Sequence, residues 1–203
     1  MKLGPLDTPE LIQLAAGWLA DKEIYQWLDF GAGRQIVTPA LLKIMTQRSS
    51  HFLRLYTNDD DEPIGIMALN SVDPTHGTGT LWGVTGERAF RNRGYATFAT
   101  SKFLTLAFSE LGLRSVNTWT VEHNPSVRVL ERVGFRYVGR QRECHRIGAR
   151  AYDRLLFDLL PSEHREIERS DWRHAAHRAR TGGRCGTEPP MLEPVSRDAS
   201  LPG

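Results

Sequence analysis

A short apolar segment, a basic turn with one glycine and a long helical pattern follow one another near the middle of the chain. The segment covers residues 81–85, the turn covers residues 91–96, and the helical pattern runs on to residue 111. The first backbone N–H groups of a helix have no partner within the helix, and the helix dipole adds positive charge there. Gly94 lets a ligand approach the backbone closely. The arrangement predicts an anion site, best suited to phosphate, formed by Arg91, Asn92, Arg93, Gly94, Tyr95, Ala96 and Thr97.

The alternative for such a turn is an arginine-rich surface loop without a ligand. A second motif downstream favours the ligand site, since residues 124–135 read NPSVRVLERVGF. In this order and spacing, the two motifs resemble the acyl-coenzyme A loop and the segment after it in GNAT superfamily N-acetyltransferases. Within that superfamily they are most similar to the ribosomal-protein N-terminal (Rim-type) acetyltransferases. The resemblance at the level of the fold covers roughly residues 1–160.

The order of strand and helix patterns predicts an α/β (α+β) fold with helices on both faces of a sheet. The resemblance implies one GNAT-like domain, residues 1–161, built on a central, twisted, mixed but mostly antiparallel sheet of about six to seven strands. After Pro161 the chain becomes polar and rich in Arg and His, and then rich in Gly, Pro and Ser. We expect residues 162–203 to form a polar helical extension that ends in a disordered tail.

The same resemblance implies an activity. The protein would be an acyltransferase that uses acetyl-CoA as co-substrate and moves the acetyl group to a primary amine by direct transfer through a ternary complex. The acceptor would be a protein N-terminus or a small-molecule amine. The strand before the loop would offer backbone groups to the pantetheine arm, with the amide of Val84 donating to the acyl carbonyl. Asn124 would bond the pantetheine amides or brace its own loop.

Transfer to an amine requires a base for the amine and a proton for the departing thiolate. Many members of the resembled superfamily carry a tyrosine acid immediately before the acidic residue of the second motif, where this chain has Leu130. Leucine cannot donate a proton, so Ser126 is the predicted hydroxyl near the thioester sulfur, with the N-cap of the next helix as its alternative role. Glu122 and His123 are the candidate bases, with ordinary surface residues as the alternative.

Leu130 also keeps a second function open. A chain that retains the coenzyme A loop but lacks the proton machinery would be a non-catalytic coenzyme A-binding or scaffolding protein of the same fold. For the acceptor, the first helices of the resembled family roof the pocket. Tyr25 and Trp27 are the predicted substrate-binding residues, although aromatic residues at helical spacing also occur as core residues.

Composition limits the partners. The net charge is +2, which is too balanced to indicate nucleic-acid binding. Cys144 and Cys185 have neither metal-ligand nor redox-motif spacing, so we expect no metal and a reduced, cytoplasmic setting. No apolar run is long enough to cross a bilayer, and the beginning of the chain lacks the apolar region of a signal peptide. The sequence leaves open whether the chain forms a homodimer.

Overall fold

A computed structural model describes residues 1–31 and 35–168, which belong to one compact unit. The strands are β1 (Leu3–Pro5), β2 (Phe52–Thr57), β3 (Pro63–Asp73), β4 (Thr78–Thr85), β5 (Ser115–Val121), β6 (Arg136–Ile147) and β7 (Arg150–Leu159). The helices are α1 (Pro9–Leu19), α2 (Lys22–Tyr25), α3 (Pro39–Thr46), α4 (Tyr95–Ser109) and α5 (Val127–Val133), and a 3₁₀ turn covers Arg88–Phe90.

The strands form a seven-stranded sheet in the order β1-β2-β3-β4-β5-β7-β6. Neighbouring strands are antiparallel except β4 and β5, which run parallel. The predicted sheet, mixed but mostly antiparallel, is therefore confirmed. The short edge strand β1 is an addition to the strands that the sequence pattern indicates, and it pairs with β2 from Leu3↔Tyr56 to Pro5↔Arg54.

Local signals set the ends of several helices. The hydroxyls of Thr8 and Thr38 accept hydrogen bonds from the third amide of α1 and α3, at 3.3 Å and 3.2 Å. In both helices proline follows the capping threonine, where its missing N–H costs nothing. At the other end of the chain, α5 stops at Gly134, whose φ of +94° favours glycine.

Each face of the sheet carries its own buried core. Helices α4 and α5 pack on one face against residues that include Ile64, Leu81 and Val116. Helices α1, α2 and α3 cover the other face, called the roof face below, against residues that include Leu53 and Ile66. Helices therefore lie on both faces, as predicted. None of the helices in the described ranges is long and apolar enough to cross a membrane.

The segment after β7 differs from the predicted helical extension. Residues 161–163 form a turn and residues 164–168 form no regular structure. Hydroxyls of α4 hold this segment, because Ser101 Oγ accepts the Ile167 N–H at 2.9 Å and Thr105 Oγ1 lies 2.9 Å from His164 Nε2. These contacts take the place of helical hydrogen bonds. The rest of the predicted extension and tail, residues 169–203, lies outside the described residues.

Candidate active site

The two central strands separate partway along their length. Pairing between β4 and β5 runs from Thr78↔Ser115 to Thr80↔Asn117. Beyond that point β4 stays paired with β3 up to Thr85, and β5 stays paired with β7 up to Val121. Each strand is thus held by its outer neighbour, and the ends of β4 and β5 leave an opening in the sheet. Backbone groups along this opening are available to a ligand.

The register decides which groups of β4 face the opening. Gly86 N–H donates to Ile64 O at 2.9 Å, and the same register continues to the pair Ile66↔Val84. Because hydrogen-bonded and non-hydrogen-bonded pairs alternate in an antiparallel ladder, Val84 also points its backbone groups at β3. The predicted donor, the Val84 amide, therefore faces away from the opening.

The neighbours of Val84 take its place. The alternation directs the backbone N–H groups of Gly83 and Thr85 toward β5 and the opening. Tyr56, which is fully buried, supports this arrangement from the α4 side. Its hydroxyl donates to Val84 O at 3.2 Å and lies 2.6 Å from Thr85 Oγ1. Burial raises the pKa of Tyr56, so its hydroxyl stays protonated and acts as a structural hydrogen-bonding group.

The basic turn leads from the end of β4 into α4. Asn92 has φ +61° and Gly94 has φ +87°, so the backbone is left-handed on both sides of Arg93. Gly94 caps α4 without a side chain, which leaves the helix N-terminus open to a ligand. Asn92 and Arg93 are exposed, and the Arg93 guanidinium lies 5.7 Å from the centre of the Phe90 ring. This geometry suits an anion held by backbone groups.

The Arg91 side chain turns back onto the protein. Its guanidinium donates to the carbonyls of Thr85 and Gly86, at 3.2 Å and 3.3 Å, and to Glu23 Oε2 at 3.0 Å. The side chain therefore braces the turn against β4 and α2. Arg88 adds a second tie, since its guanidinium lies 3.3 Å from Asp21 and 3.2 Å from Glu23.

The remaining predicted turn residues lie at the start of α4. The Tyr95 hydroxyl donates to Asp59 Oδ2 at 3.1 Å, and Ala96 is half-buried. Thr97 is buried, and its N–H donates to Gly94 O at 3.0 Å. The side chain of Thr97 therefore belongs to the helix packing, and a role toward a ligand stays a prediction.

A pair of hydroxyls stands on the β5 side of the opening. Ser126 Oγ lies 2.6 Å from Thr120 Oγ1, and Asn124 Oδ1 accepts the Ser126 N–H at 2.8 Å. Ser126 precedes α5 but its hydroxyl caps no helix amide. The Ser126 hydroxyl therefore contacts β5 instead of serving as the N-cap of α5. Its other predicted role, near the thioester sulfur, stays a prediction. Asn124 braces its loop, as the second of its predicted roles requires.

The two candidate bases differ in their surroundings. Glu122 Oε1 accepts the Asp153 N–H at 3.1 Å, and Arg140 Nη1 lies 3.4 Å from Oε2 and 2.9 Å from Asp153 Oδ2. Both oxygens of Glu122 are thus engaged with β6 and β7, which disfavours its role as a base. His123 is exposed, with φ +70°. Leu130 is buried in the core under α4, so it takes no part in the chemistry.

The aromatic residues of the roof divide into two kinds. Trp18 is buried, its Nε1 donates to Glu87 Oε1 at 2.9 Å, and its ring fills the space that a side chain on Gly86 would occupy. Tyr25 and Trp27 are half-buried at the end of α2, and their role in binding substrate stays a prediction. No cluster of metal-ligating side chains occurs in the portion of the chain that the structure describes.

A polar cluster under the roof joins residues that the sequence does not connect. Arg154 Nη2 lies 2.7 Å from Asp29 Oδ2 and 3.1 Å from His145 Nδ1, and its guanidinium stacks 3.9 Å from the centre of the Trp119 ring. The Asp29 and Arg154 positions are 125 residues apart, so no local pattern reveals the pair. The one available signal is a lone arginine before the apolar run of residues 155–157.

Hydrogen bonding fixes the state of the histidine in this cluster. His145 Nε2 is 2.7 Å from the Gln26 carbonyl, which can only accept, and Nδ1 faces Arg154, which can only donate. The imidazole is therefore neutral with its proton on Nε2. Burial lowers the pKa of His145, and the Arg154 charge acts in the same direction. Burial acts to raise the pKa of Asp29, but hydrogen bonds from Arg154 and from the Gly31 N–H outweigh burial, and the pKa of Asp29 is lowered.

Solved structures of acetyltransferases share this fold. A spermidine N-acetyltransferase from Vibrio cholerae, in complex with CoA and spermine, superimposes with a TM-score of 0.70 at 16% identity, covering 80% of this chain and 96% of that one. A structure described as a probable acetyltransferase gives a TM-score of 0.65 at 20% identity, covering 80% of this chain and 92% of that one. At such identities the likeness concerns the fold alone.

Two curated relatives are uncharacterised N-acetyltransferases. The p20 protein of Bacillus licheniformis is 26% identical over 111 residues, which are 54% of this chain and 62% of that protein. YnaD of Bacillus subtilis (strain 168) is 32% identical over 75 residues, 36% of this chain and 44% of that protein. The matches thus span less than two thirds of either relative. The model of the acetyltransferase (GNAT) domain matches residues 2–136, which is more than half of the 203 residues. The chain therefore belongs to the GNAT acetyltransferase family, whose enzymes use acetyl-CoA as co-substrate.

Proposed function

We propose that this protein is an N-acetyltransferase that moves the acetyl group of acetyl-CoA to a primary amine by direct transfer through a ternary complex. The observation that carries the proposal is the opening between β4 and β5. The basic turn that starts α4 follows one of its sides, and the hydroxyls of Thr120 and Ser126 stand on the other. An acyl donor bound along β4 would bring its reactive end into the opening, between the basic turn and the two hydroxyls.

The residues present fit acetyl-CoA. The left-handed backbone at Asn92 and Gly94 and the open N-terminus of α4 suit the pyrophosphate. The amides of Gly83 and Thr85 face the opening, where they can donate to the pantetheine arm and the acyl carbonyl. When bound, acetyl-CoA supplies an activated acyl group, so no covalent intermediate on the protein is required.

Ser126 and His123 are the side chains proposed for proton transfer. The Ser126 hydroxyl, bonded to Thr120, is the group proposed to protonate the departing thiolate. A thiol has a pKa near 8.5, so this demand is modest. His123 is exposed at the end of β5 and is free to take the amine proton directly or through water. Glu122 is the weaker candidate because Arg140 and the Asp153 amide occupy its oxygens.

The acceptor is proposed as a protein N-terminus or a small-molecule amine. The motif at residues 124–135 supports the Rim-type branch and a protein N-terminus. The likeness to a spermidine N-acetyltransferase supports a small amine, at the level of the fold. Tyr25 and Trp27, half-buried at the end of α2, are proposed to line the acceptor pocket.

One experiment tests the proposal against a non-catalytic coenzyme A-binding protein. Purified protein is incubated with acetyl-CoA and a panel of amines, and thiol release is measured along with the mass of each amine. An N-acetyltransferase releases CoA, and the mass of at least one amine increases by that of one acetyl group in place of a hydrogen atom. Tight acetyl-CoA binding without release over a broad panel of peptides and small amines would instead establish the non-catalytic function.

A further inference from the structure

Arg154 lies at the rim of the opening on the roof face. Pairing with β4 ends at Asn117, and Trp119 stands two residues further along β5. The register places Arg154 of β7 opposite Val121, so its guanidinium reaches back to stack on the Trp119 ring at 3.9 Å. Its partner Asp29 follows α2, which covers the roof face, so the Arg154 side chain also lies on that face of the sheet. An acceptor amine that approaches the opening from the roof face passes this guanidinium.

The Arg154 guanidinium is held in place, but not all of its hydrogen-bond donors have a partner. Both of its hydrogen bonds, to Asp29 and to His145, are made by Nη2. Nε is buried without a partner, and Nη1 donates to no atom of residues 1–31 or 35–168. Nε is enclosed by protein atoms and out of the reach of a ligand, whereas Nη1 is not enclosed in this way. Nη1 is therefore the part of Arg154 that can donate to an anionic group.

Arginines engage most of the carboxylates around the opening. Asp21 and Glu23 pair with Arg88 and Arg91, Asp29 pairs with Arg154, and Glu122 and Asp153 share Arg140. Glu87 has a different partner, since its Oε1 accepts from Trp18 Nε1. A polyamine would therefore compete with an arginine or a tryptophan for each of these carboxylates.

We propose that Arg154 binds a carboxylate of the acceptor, and that the acceptor is an amine that carries a carboxylate rather than a polyamine. The guanidinium forms charge-assisted hydrogen bonds with a carboxylate, while Trp119 holds its plane. The carboxylate can come from a free amino acid or from an acidic peptide with a free N-terminus. The proposal rests on the proposed function, since it names the substrate class of that same site.

Calorimetric titration in the presence of CoA measures acceptor binding without turnover. The probes are alanyl-glutamyl-glutamate, the same peptide with every carboxylate replaced by a carboxamide, L-glutamate and spermidine. We expect at least one carboxylate probe to bind about tenfold tighter than both the carboxamide peptide and spermidine. The ratio between L-glutamate and the acidic peptide distinguishes a free amino acid from a peptide acceptor. This comparison uses the unaltered protein, so it does not depend on any variant folding.

Two variants then assign the effect to Arg154. Arg154→Met should remove the preference for carboxylate probes, whereas Arg146→Met should keep it. Arg146 belongs to the same hairpin and carries the same charge, but it is exposed and the register turns it to the face opposite His145. Equal affinity for the acidic and carboxamide peptides, tighter binding of spermidine, an Arg154→Met variant that keeps the preference, or no binding by either carboxylate probe each overturns the proposal.

The same probes in the thiol-release assay separate this proposal from the proposed function. Carboxylate-selective binding without CoA release would support the anion site at Arg154 and contradict the acetyltransferase function. Release of CoA with spermidine but not with a carboxylate probe would support the acetyltransferase function and overturn the acceptor class.

Discussion

The hydroxyl of Ser126 lies 2.6 Å from that of Thr120, so one of the two donates to the other. Ser126→Ala should lower kcat by about tenfold to a hundredfold, because a proton donor to the thiolate is lost. The acetyl-CoA dissociation constant should stay the same, since backbone groups hold the cofactor. Steady-state kinetics and calorimetric titration measure the two quantities.

Thr120→Val provides the matched control for Ser126. It keeps the shape of the buried side chain and removes the partner hydroxyl, so Ser126 keeps its proton and kcat should fall less than in Ser126→Ala. An unchanged kcat in Ser126→Ala would show that another group, or water, protonates the thiolate.

His145 should make folding stability depend on pH. Burial lowers its pKa in the folded chain below the ordinary value near 6.5, so the unfolded chain binds more protons in acid. The contribution of neutral His145 is thus fully present above pH 6.5 and is lost as pH falls below it. Urea unfolding at pH 7.5 and pH 5.5 should show a smaller pH dependence of the unfolding free energy in His145→Gln than in the unaltered protein.

His51 and His164 also have pKa values lowered by burial. His145→Gln should therefore reduce the pH dependence of stability between pH 7.5 and 5.5 without abolishing it. The same pH dependence in His145→Gln as in the unaltered protein would show that His145 takes no part in the acid loss of stability.

The turn that starts α4 can be tested as an element. Gly94 has φ +87°, a conformation that side chains rarely adopt, and its backbone lies where the pyrophosphate is proposed to bind. Gly94→Val should weaken acetyl-CoA binding about tenfold or more, equivalent to 1.4 kcal/mol. Calorimetric titration of the folded variant measures the loss.

Gly112, beyond the C-terminal end of the same helix, supplies the control. It has φ +63° and open space around it, so Gly112→Val should impose comparable backbone strain far from the proposed phosphate site. We expect lowered stability in both variants and weakened acetyl-CoA affinity in Gly94→Val alone. Unchanged affinity in Gly94→Val would contradict the assignment of this turn to the pyrophosphate.

Local signals explain how much of this architecture the sequence predicts. The strand, turn and helix around Gly94 and the threonine caps of α1 and α3 are encoded within a few residues of each element. The direction of the Val84 amide depends on strand register, which pairing with β3 sets and which β4 alone does not reveal.

Long-range contacts explain what the sequence leaves out. The Arg91 brace depends on Glu23, 68 residues away, and the guanidinium of Arg154 depends on Asp29, 125 residues away. Neither arginine differs locally from a solvated surface residue. Motifs therefore predict a coenzyme A site at the turn before α4, whereas no local motif indicates that Arg154 lies beside the opening.

At the scale of the molecule, the two faces of the sheet carry different parts of the proposed function. The α4 and α5 face holds Tyr56 under the end of β4 and Leu130 in its core. The roof face holds Trp119 and Arg154 beside the same opening. Because β4 and β5 separate between these faces, a donor and an acceptor can meet without either crossing a packed core.

The contacts of residues 162–168 indicate where the domain ends. The predicted boundary at residue 161 would remove Ile167, which packs against the core under α4, and the contact between Glu163 and Arg136 at 2.8 Å. It would also expose the Phe108 ring, which lies 5.5 Å from that of His164. We therefore propose that the domain extends through residue 168.

A chain ending at residue 168 should unfold at a higher temperature than one ending at residue 161, by several degrees for a loss of about 1–2 kcal/mol. Both lack residues 169–203, so the comparison isolates the contacts of 162–168. Thermal unfolding by circular dichroism, with acetyl-CoA affinity measured in parallel, provides the test. Equal melting temperatures would place the boundary at residue 161 after all.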